Sequence, residues 1–152
     1  MKVTVFALVP LVTLVGLAPW SADAGTREHV VKGEGVVAAS GKTLPYGFKV
    51  EARGTPKQAQ GKVAFSTLLL QPITGQVKCL AVQGKRAAIA GKFDEPLASD
   101  RTHFLIVLQD NGPVQDPPVD TLHAEATNGL VGCKHALDQP GTPLREGNIR
   151  IR

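Results

Sequence analysis

Only two of the 152 residues are cysteine and four are histidine, and neither type stands in the close spacings that metal and redox sites use. His29, His103, His123 and His135 fall in no H-x-H or H-E-x-x-H frame, so nothing points to zinc chemistry through them. No serine has the G-x-S-x-G surround of a strained nucleophile: Ser40 follows Ala38 and Ala39, and Ser66 and Ser99 also lack the frame. Paired carboxylates for glycoside chemistry reduce to Glu51 and Glu125, both on the polar side of alternating runs. Aromatics are scarce as well. Beyond residue 24 there are five, Tyr46, Phe48, Phe65, Phe93 and Phe104, mostly on apolar faces, which disfavours the exposed platforms that bind sugars. Basic residues exceed acidic ones by four, but they are scattered singly, so nucleic acid is not an expected partner. The nearest thing to a basic patch is Arg145, Arg150 and Arg152, two of which alternate with Ile149 and Ile151 as on the solvated face of a strand. No catalytic residue, metal or cofactor is expected.

One long apolar run is present, at the N-terminus. Met1 and Lys2 give a short positive start, Val3 to Leu17 is almost wholly apolar, and Ala22-Asp23-Ala24 fits a small-x-small cleavage site. The run contains Pro10 and Gly16 and reaches Ser21 too early for the roughly 20 apolar residues that span a bilayer. Residues 1–24 are therefore expected to be a secretory signal peptide cleaved after Ala24. Residues 25–152 are expected to form a single soluble domain, periplasmic or secreted, monomeric and without a transmembrane segment. The leader takes one basic and one acidic residue with it, Lys2 and Asp23, so the net charge stays at +4.

In an exported chain an even cysteine count reads first as a disulfide, here Cys79 with Cys133. A redox pair would favour C-x-x-C spacing, and a metal site on Cys133-Lys134-His135 would need further ligands from elsewhere.

The dominant period is two. It is unbroken in residues 46–53, where Tyr46, Phe48, Val50 and Ala52 alternate with Gly47, Lys49, Glu51 and Arg53. Similar runs at 29–39, 62–70, 76–83, 86–93, 102–109, 119–127 and 148–152 bring the strand count to eight, with at most a helical turn near Glu95 to Asp100. Gly, Pro, Asn and Asp punctuate the intervals, for example Gly54-Thr55-Pro56, Pro72 to Gly75 and Asn111-Gly112-Pro113. Gly33-Glu34-Gly35 precedes no helix and so is no phosphate loop; inside a strand it marks a bulge or a barrel corner. The expected fold is all-β, a single antiparallel barrel or sandwich of about eight strands. Tyr46, Phe48, Val50, Val63, Phe65, Phe104, Ile106, Leu108, Leu122, Ile149 and Ile151 are its expected core. Residues 102–108 are apolar almost throughout, as in a strand covered on both faces.

The stretch Asp110-Asn111-Gly112, continued by Asp116 and Asp120, is the candidate partner or calcium loop. Prolines 113, 117 and 118 break the alternate spacing of a dedicated calcium loop. The competing reading is an Asx-type turn at Asp110 and Asn111, with Asp116 and Asp120 accepting backbone N–H groups.

Several stretches together resemble small exported bacterial all-β domains of unassigned function. They are Val77-Lys78-Cys79-Leu80-Ala81-Val82-Gln83-Gly84 with Ala87 to Gly91, Val107 to Gly112 with Asp116 and Asp120, Cys133, and Leu144 to Ile149 with its Gly147-Asn148-Ile149. The likeness runs over most of residues 33–152. It implies an exported β barrel or sandwich, alone or appended to a larger secreted protein, with no catalytic residue to carry over. The functional expectation is an exported, non-catalytic β module for binding, structure or adhesion, its partner an unknown protein or a small apolar ligand. The alternatives are a lipocalin-like carrier of a small apolar ligand, with an interior cavity, and a small hydrolase or lyase with titratable groups converging in a cleft.

Overall fold

A computed structural model of the chain describes residues 27–38, 44–67, 70–97, 100–112 and 119–152. Residues 1–24, expected as a leader, and Ser40, Ser99 and Asp116 lie outside these. Eight strands follow one another: β1 (His29–Val37), β2 (Tyr46–Thr55), β3 (Gln58–Thr67), β4 (Leu70–Gln83), β5 (Arg86–Leu97), β6 (Arg101–Gln109), β7 (Thr121–Thr127) and β8 (Thr142–Ile151). One helical turn, α1 (Cys133–Ala136), interrupts the path from β7 to β8. Each strand pairs antiparallel with the next, and β8 returns to β1, so the sheet closes as a barrel. Between barrel and sandwich, the two expectations for an all-β chain, the answer is the barrel.

Eight strands enclose a space just wide enough for side chains to fill. Here Val31, Phe48, Val50, Val63, Val77, Leu80, Ile89, Phe104, Ile106, Leu108, Leu122 and Ile149 fill it, each nearly or wholly buried. Every residue expected in the core from alternation is found there, with Tyr46, Phe65 and Ile151 packed at its margins.

Several strand ends differ from expectation. β4 begins at Leu70 and runs through Pro72 and Gly75, where a turn is read from the sequence. Pro72 is tolerated because the β3–β4 ladder is irregular between Phe65 and Thr67 and demands no N–H from it. The expected helical turn near Glu95 to Asp100 is instead the end of β5, which continues to Leu97; Asp100 then turns the chain with φ 57°. β8 starts at Thr142 rather than Asn148. In Gly33-Glu34-Gly35, Gly35 lies opposite Gly147, beside the β1–β8 register shift. A Cβ on Gly35 would sit 2.4 Å from the Glu146 carbonyl oxygen, a backbone approach that only glycine permits.

Two further glycines make room for the largest core side chain. A Cβ at Gly91 would stand 2.5 Å from Phe104 Cζ and 2.0 Å from the Gln76 carbonyl oxygen, and one at Gly75 would stand 2.7 Å from Phe104 Cε1. Phe104 in turn packs against Phe93, ring centres 5.4 Å apart. Gly91→Ala is therefore expected to destabilise the barrel by roughly 3 kcal/mol through overpacking, read as a fall in the urea midpoint at constant m value. Wild-type stability in that variant would show that both the ring and the β4 backbone at Gln76 have space to move.

Between β4 and β6 the wall has a second, outer core. One extra residue in β4, at the bulge between Val77 and Cys79, reverses the alternation there. Val77 and Leu80 point inward, while Cys79 and Ala81 point outward. Outside, Ala81, Ala88, Ala90, Leu105 and Val107 pack under Cys133, Ala136 and Leu137 from the α1 segment. This explains why residues 104–108 of β6 are all at least 96% buried: Phe104, Ile106 and Leu108 face the barrel, Leu105 and Val107 face α1. The Cys79–Cys133 disulfide pins the segment to the wall, and an Arg86 Nη2 hydrogen bond to the Gln139 carbonyl, 2.8 Å, holds its far end.

Candidate functional site

Alternation sends large side chains inward all along the barrel, but they end unevenly. At the end where β2, β4 and β6 begin and β3, β5 and β7 finish, the interior opens into an apolar mouth of about 430 Å³. Tyr46, Phe65, Thr67, Ile73, Phe93, Leu97, Phe104, Ala124 and Ala126 line it, with Leu44 and Glu125 at the edge. The space exists partly because β7 contributes only the small side chains of Ala124 and Ala126 to the interior, beside the Phe104 ring of β6. Of the five aromatics beyond residue 24, four stand here. Tyr46 tilts against Phe65 with ring centres 6.3 Å apart, and the Phe93–Phe104 pair forms the floor. Leu44 is 64% exposed at the rim, an apolar side chain left in water.

The polar groups of the mouth are few and uncharged except for Glu125. Burial pushes the Tyr46 phenol above its ordinary pKa, so it stays a neutral hydroxyl. The Thr67 hydroxyl oxygen is buried and has no hydrogen-bond partner among the described residues. Glu125 is half-exposed and lies 3.8 Å from His123 Nε2.

Outside, the walls carry charge in the alternating positions. Lys32 Nζ meets Glu51 at 2.6 Å and Lys49 meets Glu34 at 3.8 Å; Lys32 holds the Glu51 carboxyl below its usual range. Asp94 accepts hydrogen bonds from Thr74 Oγ1 and Gln76 Nε2, which lower its pKa in the same sense. These are solvent-facing grooves. Glu51 is on this outer wall and Glu125 is at the mouth, so these two acids do not meet. Among the described residues no three His, Cys, Asp or Glu side chains converge as a metal site.

The acidic loop is used at the barrel seam. β7 and β8 pair only at Thr121 with Pro143 and Leu122 with Thr142, after which β8 runs on past the start of β7. Backbone donors on that uncovered edge find carboxylates instead of a strand. Asp120, 9% exposed, accepts from Ile149 N–H at 2.7 Å with one oxygen and from Asn111 N–H at 2.8 Å with the other. Asp110 accepts from Gly112 N–H at 2.9 Å, an Asx turn, and from Ile151 N–H at 3.3 Å. The Asn111 amide donates to the Val119 carbonyl, closing the base of the loop. Asp110, Asn111 and Asp120 are thus brought together, as acceptors and ties for main chain.

The mouth was not legible as a site from the sequence. Tyr46, Phe65 and Phe104 are recognisable as inward-facing, but their common height on the barrel depends on the register of all eight strands. Phe93 and Leu97 carry the same pattern of alternation with no mark of their position.

Fold and site together define an eight-stranded up-and-down antiparallel barrel with a packed interior and one open apolar end. No family model, curated protein or solved structure matches this chain. No helix among the described residues is long and apolar enough to cross a membrane.

Proposed function

We propose that the protein is an exported, non-catalytic binding module that takes a small apolar ligand at the open end of its barrel. The observation that supports this reading is the gathering of four of the five aromatics beyond residue 24, with Ile73 and Leu97, around one concavity of about 430 Å³. That volume is in the range of small-molecule sites, which are mostly apolar with a few placed polar groups. The ligand would sit at the mouth and not deep inside, since Phe48, Phe104, Ile106 and Leu108 occupy the interior that a lipocalin-like carrier would keep open. Export is supported by the charged, apolar and small-residue sequence of residues 1–24 and by the disulfide, a bond that persists in oxidising compartments.

Binding is tested with N-phenyl-1-naphthylamine, a neutral apolar fluorophore. The protein is expected to enhance its emission saturably at one site. Leu44→Asp places a carboxylate at the rim in an exposed position and is expected to weaken binding about tenfold, the equivalent of about 1.4 kcal/mol, with no change in melting temperature. A response that never saturates, or one that Leu44→Asp leaves unchanged, rejects the mouth as the site. Native mass spectrometry of the exported protein gives a second reading, a small molecule retained until denaturation.

A further inference from the structure

The mouth combines two features that narrow what it can hold. Among the described residues its only charged lining residue is Glu125, on the rim and half-exposed. The guanidinium of Arg101, at the start of β6, does not line the mouth and donates to the Ala126 main-chain carbonyl. An ion moved into this aromatic and aliphatic surround would lose its hydration with no buried counter-charge among the described residues to replace it, whichever its sign. At the end of β3, Thr67 carries a buried hydroxyl that no described residue engages, and the half-buried Tyr46 offers a second, kept neutral by desolvation. An unmet hydroxyl on a residue that lines an apolar concavity is satisfied by a ligand with one polar group on an apolar body.

We infer that the occupant is an uncharged, lipid-like molecule bearing a hydroxyl or carbonyl group, hydrogen-bonded by Thr67, and not a fatty-acid anion or an alkylammonium. This rests on the mouth being a ligand site, and the test separates the two. Tyr46 is the only tyrosine in the chain and the only tryptophan, Trp20, lies in the leader, so the ultraviolet emission of the exported protein reports on the mouth itself. Tyr46 emission is followed while the protein is titrated with 1-octanol, octanoate, octylammonium and n-hexane. Octanol is expected to bind at least tenfold more tightly than octanoate or octylammonium at neutral pH. Thr67→Val removes the hydroxyl at nearly constant shape and is expected to weaken octanol about fivefold while leaving hexane unchanged. Thr67→Ser, which keeps the hydroxyl, restores octanol binding. The inference is overturned if either ion binds as well as octanol, or if Thr67→Val spares octanol or weakens hexane equally. If no probe, hexane included, perturbs Tyr46, the proposed function itself falls.

Discussion

Replacing Cys79 and Cys133 together by alanine is expected to lower the unfolding free energy by about 4 kcal/mol, because the bond closes a loop of about 55 residues in the unfolded chain. For a domain whose whole stability is about 5 to 15 kcal/mol this is a large share. The structure adds a local consequence. The outer cluster under α1 is built mostly from small side chains, Ala81, Ala88, Ala90 and Ala136 with Leu105, Val107 and Leu137, and so offers little apolar area to hold the segment without the bond. The pair to alanine avoids placing a hydroxyl where Cys133, 2% exposed, now sits. Urea denaturation gives the global loss, and hydrogen exchange gives the order of events. Amides of residues 128–141 are expected to exchange faster before those of the barrel strands do. A loss below about 1 kcal/mol, with protection of α1 intact, would show that packing and the Arg86–Gln139 bond suffice to seat the segment.

Asp120→Ala is expected to cost about 3 kcal/mol, since it strips a carboxylate that accepts two backbone N–H groups and leaves the Ile149 donor buried without a partner. Asp120→Asn separates charge from geometry. Its single carbonyl oxygen serves one donor, and its NH2 faces the other, so a loss of about 2 kcal/mol is expected. In both variants exchange at Ile149 and Ile151 is expected to quicken first, because the seam between β7 and β8 has only two strand pairs of its own. Asparagine tolerated at full stability would contradict the role of twin acceptor. Millimolar calcium is the matching control: a rise in melting temperature that Asp120→Asn abolishes would return this loop to cation binding.

The acidic stretch shows how far sequence reasoning reaches. Asp110 next to Asn111 and Gly112 predicts an Asx turn from local chemistry alone, and Asp110 indeed accepts from Gly112 N–H. That Asp120 would bridge to Ile149, 29 residues on, has no local signature, because it depends on β8 overshooting β7. Pro72 misled for a related reason. A proline inside an apolar run reads as a break, and only the irregular register of β3 against β4 makes its missing N–H harmless. The mouth was half legible: alternation tells which ring points inward, and nothing in it tells how high on the wall that ring stands.

Strand periodicity is a local property of the chain, since successive side chains take opposite faces wherever the backbone is extended. Sequence alone therefore determined the all-β class, the eight strands, the inward set from Tyr46 to Ile151, and the double cover of β6. Tertiary structure decided closure into a barrel, the seam at Asp120, the apolar open end, and the side of the wall on which the disulfide lies. Strict alternation puts Cys79 on the same face as Val77, inside the barrel. One bulged residue turns it outward to meet Cys133 under α1, and a bulge is the outcome of how two strands fit each other, not of either strand's own pattern.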